Sequence, residues 1–125
     1  MAKNFVSDGD VIPWTNTTGS AVASGQVVVM GHIIGVALVA IAAGATGSVA
    51  VEGVFEVAKV SGAVFAQGEK LIWDVSAGSG AGAFDDSSAT PATGDITGGA
   101  IAWLAGTDGQ TTATVKLTPG NAAIA

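Results

Sequence analysis

The sequence predicts an all-β single domain, a small β-barrel or β-sandwich, and three observations carry that prediction. Valine, isoleucine and threonine cluster in short runs such as Gln26-Val27-Val28-Val29-Met30. β-Branched side chains suit a pleated surface and lose rotamer freedom in a helix. Nineteen glycines punctuate those runs, which breaks any helix of useful length. Finally, 49% of the 125 residues are apolar and only 11% charged, enough for one core in one domain.

Taken in order, residues 1–20 read as a polar N-terminal arm. Asn4-Phe5-Val6 is a short extended piece and Asp8-Gly9-Asp10 a turn. In Val11-Ile12-Pro13-Trp14 the proline bars a central strand position, and Thr15 to Ser20 is loop chemistry. Residues 21–120 form the β domain. The run from Gln26 to Val39, interrupted at Gly31, predicts two short strands or one bulged strand. Ala42 to Gly47 is a turn. Ser48 to Val57 alternates as one strand with a bulge at Gly53. Leu71 to Asp74 is the next strand.

Residues 76–100, rich in Gly, Ser and Ala, read as a long flexible hairpin loop with Phe84 as an anchor. Gly99 to Leu104 and Thr112 to Leu117 are strands joined through the Asp108-Gly109 turn. Residues 121–125 form a loose tail. Ala23-Ser24-Gly25-Gln26 is echoed by Ala66-Gln67-Gly68-Glu69, each before an apolar run, which reads as one turn type used twice.

The chemistry available is sparse. There is no cysteine, no tyrosine, no arginine and one histidine, His32. That excludes thiolate metal sites and disulfides and leaves no triad, so no catalytic, cofactor or metal residues are expected. His32 reads as a core or interface residue. Asp8 with Asp10 and Asp85 with Asp86 read as solvated turn carboxylates, since neither pair sits in a calcium-loop pattern. No phosphate-loop motif exists. A net charge of −6, with only Lys3, Lys59, Lys70 and Lys116 as cations, argues against direct nucleic-acid binding. The apolar run Val27 to Ala43 approaches a membrane span in length, but its glycines, His32 and unflanked ends favour a soluble β domain. No targeting segment is read at the N-terminus. Trp73 and Trp103 read as core residues, whereas Trp14 suits a core or an interface.

The opening Ala2-Lys3-Asn4-Phe5-Val6-x-Asp8-Gly9-Asp10, the Ala23-Ser24-Gly25-Gln26 turn and Gly35-Val36-Ala37 resemble the capsid cement or head-decoration proteins of tailed phages and prophages. Val51-Glu52-Gly53-Val54-Phe55-Glu56-Val57-x-Lys59 and Trp73-Asp74 fit the same pattern. This group was long catalogued only as a domain of unknown function. Some members carry a label as a predicted RecA/RadA-type recombinase, which the missing phosphate loop and the short chain do not support.

The resemblance implies a β-barrel or β-sandwich on the capsid exterior, made in the bacterial host cytoplasm. It further implies a homo-trimer that clamps neighbouring major capsid protein subunits. The arm is then expected to supply much of the capsid contact, through Phe5 and Trp14 as apolar anchors, Lys3 as a peripheral charge and the Asp8 and Asp10 turn. The alternative is a carbohydrate- or receptor-binding β module displayed on the virion, for which Trp14 and Phe84 would be the aromatic platforms.

Overall fold

A computed structural model describes residues 2–125; Met1, the first residue of the expected arm, lies outside the described residues. Ten strands follow in order: β1 Val11–Thr15, β2 Val27–Met30, β3 Ile33–Ala37, β4 Thr46–Ala50 and β5 Val54–Ala58, then β6 Lys70–Asp74, β7 Ala83–Asp85, β8 Ile96–Ala102, β9 Thr112–Leu117 and β10 Ala123–Ile124. They build two antiparallel sheets, β1-β4-β3-β2 and β5-β9-β8-β6-β7, with β10 added to β8. Among the described residues the only helical element is a 3-10 turn, Gly78–Gly80. The all-β prediction holds, and of its two forms the sandwich-like one is realised rather than a closed barrel.

The two sheets are one module built twice. Val11–Met30 corresponds residue for residue to Val54–Trp73, so β1 and β2 match β5 and β6, while β3 and β4 match β8 and β9. The registers agree. β1 runs against β4 from Val11 opposite Ala50 to Thr15 opposite Thr46, and β5 against β9 from Val54 opposite Lys116 to Ala58 opposite Thr112. Val36 and Ala37 face Ala50 and Val49; Ile101 and Ala102 face Lys116 and Val115. The echo noticed in the sequence is one visible part of this repeat. In each copy the Gln or Glu side chain folds back on the turn: Gln26 Oε1 accepts from the Ala23 amide at 3.0 Å and Glu69 Oε1 from the Ala66 amide at 3.1 Å.

The cores follow the same correspondence. Val22, Val28, Ala37, Ile41 and Val49 form a small cluster with Ile12, Trp14 and Met30 against it. Most of their counterparts, among them Phe65, Leu71, Ala102, Val115 and Trp73, lie in the larger cluster. That cluster also takes Ile34 and Val36 from the first sheet, so it joins the two copies. The contact is close: a Cβ built on Gly99 of β8 would overlap the Ile34 side chain.

The second module departs from the first in a two-residue bulge of β8, where Lys70 faces Ile101 and Ile72 faces Thr97, and most widely at the turn before it. Met30 pairs with Ile33 across the two-residue turn Gly31-His32, whereas the equivalent pair Trp73 and Ile96 is separated by residues 74–95. This insertion lays β7 along the outer edge of β6, with Phe84 opposite Trp73. Their rings meet edge-on at 4.8 Å and 67°, and Phe84 is fully buried. Asp95, itself buried, pins the insertion by accepting from the Val75 and Ala92 amides at 3.1 and 2.9 Å.

Several expectations need revision. The 76–100 segment, expected as one long flexible hairpin loop, contains the 3-10 turn, β7 and the first residues of β8. Ser48 to Val57 is two strands in different sheets: Gly53, at φ +119°, sits in the connection and accepts from the Leu117 amide, so it bulges no ladder. The tail forms β10 because β9 covers β8 only over Ala100–Ala102, leaving Ile96 and Thr97 free to pair with Ala123 and Ile124. The arm ends at Asp10; β1 begins at Val11, and Asn16 is buried. His32 is exposed in its turn, not in the core. Val27 to Ala43 forms β2, β3 and their flanks, and no helix among the described residues is long and apolar enough to cross a membrane.

Candidate functional site

Residues 2–10 leave the first sheet at β1 and lie exposed along their whole length. Lys3 and Asn4 form a turn, Gly9 takes φ +81° and Asp8 and Asp10 are exposed beside it. Phe5 is 64% and Val6 92% exposed. Burying a large apolar side chain stabilises by roughly 1.5–3 kcal/mol, which these two residues forgo within their own chain. Trp14 stands apart from the other four expected contact residues. It lies in β1, half-buried against the small cluster, and so belongs to the fold first.

The structure brings forward apolar residues that sequence reasoning missed. Trp103 and Leu104, 48% and 52% exposed, form a corner after β8, and Leu38 with Val39 form the equivalent exposed corner after β3. Each corner is held by a side chain from the repeated turn: Ser24 Oγ donates to the Leu38 carbonyl at 3.2 Å and Gln67 Nε2 to the Trp103 carbonyl at 3.1 Å. Trp103 was expected in the core, but Ala102 takes the inward position and Trp103 follows the strand's end. Phe84, offered as a surface platform, is inside. The signal for the corners was the repeat itself, since only the correspondence shows Leu38 and Trp103 to be equivalent positions.

The polar groups serve the fold. Asn16 Nδ2 donates to the Ser20 and Ile41 carbonyls, and its Oδ1 accepts from the Thr18 amide and hydroxyl. At the equivalent position of the second module, buried Lys59 donates to the carbonyls of Val60, Ser61 and Gln110, with its ammonium 5.9 Å from the Phe65 ring centroid. Glu69 Oε2 accepts from the Ser87 amide and hydroxyl. The Ser87 and Ala66 amides hold the Glu69 carboxyl below its usual value, and the Ser88 hydroxyl does the same for Asp86. Two hollows of about 290 and 560 Å³ share Ala58, Ala81 and Gly82; Lys59, Ser61 and Asp74 line the larger, where the Lys59 ammonium is engaged by backbone carbonyls and Asp74 by Ser76. Among the described residues no three His, Cys, Asp or Glu side chains converge as a metal site.

Exposed apolar side chains thus stand on residues 2–10 and at both corners, while the polar groups named above are engaged within the fold. Residues 6–117 match the phage cement protein family, which covers both modules and the insertion. The chain belongs to that family. No curated protein matches it significantly. Phage cement proteins are structural, and membership implies a component of the virion capsid that associates with the phage capsid.

Proposed function

We propose that this cement protein decorates the exterior of a tailed-phage or prophage head, where it clamps neighbouring subunits of the major capsid protein and acts as a structural protein without catalysis. It does so as a homo-trimer made in the bacterial host cytoplasm. The observation that carries the reading is the arm: Phe5 and Val6 stand in water on a chain of a family whose members serve the capsid. Lys3, Phe5, Asp8 and Asp10 form the proposed partner-contact set, with Trp14 bracing the root of the arm. Many repeated contacts of modest strength add through avidity on a lattice.

Deletion of residues 2–10 tests it. The cut stops before β1, so the strand spectrum and the melting transition should remain while co-sedimentation with expanded heads is lost. A truncated protein that decorates heads as the full chain does would remove the arm from the mechanism.

A further inference from the structure

The repeat shows what is missing from the first module. On β6 the outer edge is paired with β7, Ile72 opposite Asp85 and Trp73 opposite Phe84. Its counterpart β2 has the same position in its sheet and, among the described residues, no strand paired on that edge, although its first residue, Val27, borders a hollow shared with Ala58 and Gly82. The other edges are guarded. β1 carries Pro13, which faces outward because Asp10 and Asn16 are the residues bonded to the β4 side. β5 has Glu56 at its centre, and its end is tied to β7 through the Val60 amide and Phe84 carbonyl. β7 is three residues long and ends in Asp85. β2 reads Val-Val-Val-Met, with neither charge nor proline.

The Ala37 amide donates to the Gln26 carbonyl and Met30 closes the two-residue turn, so Val27 and Val29 point their backbone groups away from β3. A bare apolar edge of this kind is a template for an added strand.

We infer that the outer edge of β2 receives the N-terminal arm of a second copy of this chain, with Asn4-Phe5-Val6 taking the place that Ala83-Phe84-Asp85 takes on β6. In that register Phe5 lies opposite Met30 and Val6 opposite Val29. The arm leaves from β1, at the far edge of the sheet from β2. Residues 2–10, at about 3.3 Å each, reach about 30 Å. An arm passed from one copy to the opposite edge of the next is a head-to-tail contact when it is not returned, and such contacts form a ring where the rotation between copies closes. The number three rests on the decoration reading; within that reading the partner that Phe5 and Val6 meet is the neighbouring copy, Lys3, Asp8 and Asp10 are left for the capsid, and arm deletion abolishes attachment to heads by dissolving the ring. The edge itself can be tested without any capsid.

Val29→Pro removes an outward amide and no ladder donor, and Val29→Lys places a charge on the same edge. The masses of the wild type, both variants and the 2–10 deletion are measured by light scattering at micromolar concentration. Three chains are expected for the wild type and one for each folded variant, with a two-chain complex on mixing Val29→Pro with the deletion. A wild type of one chain, or a Val29→Lys or arm-deleted protein that keeps the wild-type mass, would overturn the inference. Because the chain has no cysteine, a Val6→Cys, Val29→Cys protein adds a second readout. Oxidation should link chains to one another; a link confined within one chain, or none, would equally overturn it.

Discussion

Asn16 and Lys59 occupy one position of the repeated module and solve one problem, carbonyls left over where the first strand of each copy meets its closing turn. Removing the Asn16 side chain strands the Thr18 amide and takes one of two donors from each of the Ile41 and Ser20 carbonyls, which keep the Val22 amide and the Thr18 hydroxyl, so Asn16→Ala should lower stability by about 1–3 kcal/mol in urea unfolding. Glu69 gives a pH signature. Its carboxyl sits below the usual 4.5, so the charged form is favoured in the folded state; the stabilisation is full above 4.5 and is lost as pH falls through the folded value. Glu69→Gln should therefore melt lower than wild type at neutral pH, with the gap closing in acid. If the two proteins keep a constant difference from pH 7 to pH 3, the Ser87 and Ala66 bonds do not act through charge. Of these roles the sequence shows little. A buried Asn in a threonine-rich stretch reads as loop, and a lysine ending an alternating run reads as solvated, because burial of either depends on carbonyls distant in the chain.

At the scale of elements, β-branched runs and glycine turns make most strands legible, while their partition into sheets is not. Val49, Val51, Phe55 and Val57 keep one alternation across Gly53, although the chain changes sheet there. β7 and β10 escape notice because pairing alone creates them: each is short and fills an edge that another element leaves open. The insertion should therefore stand on its anchor. Phe84→Ala empties a fully buried site against Trp73 and should cost about 3–5 kcal/mol in chemical denaturation. Gly99→Ala forces β8 away from Ile34 and should cost about 1–3 kcal/mol. Near-neutral results for both would mean that the sheets pack less tightly than their geometry indicates.

For the whole molecule, duplication is the organising fact, and only the Ala-x-Gly-Gln/Glu turn betrays it in the sequence. Core sites keep burial rather than identity, as Val22 with Phe65 and Val28 with Leu71 show. The polar composition marked residues 2–10 as exposed chain but hid β1, which lies inside the arm expected over residues 1–20; the paired corners and the bare β2 edge appear only when one copy is laid on the other. The central claim is that this chain binds and reinforces a phage head. The most direct measurement is the temperature at which expanded heads stripped of decoration protein break open, with and without saturating protein. The expected result is co-sedimentation and a higher rupture temperature, both lost on deletion of residues 2–10. Heads that bind no protein, or that bind it and rupture at an unchanged temperature, would contradict the claim.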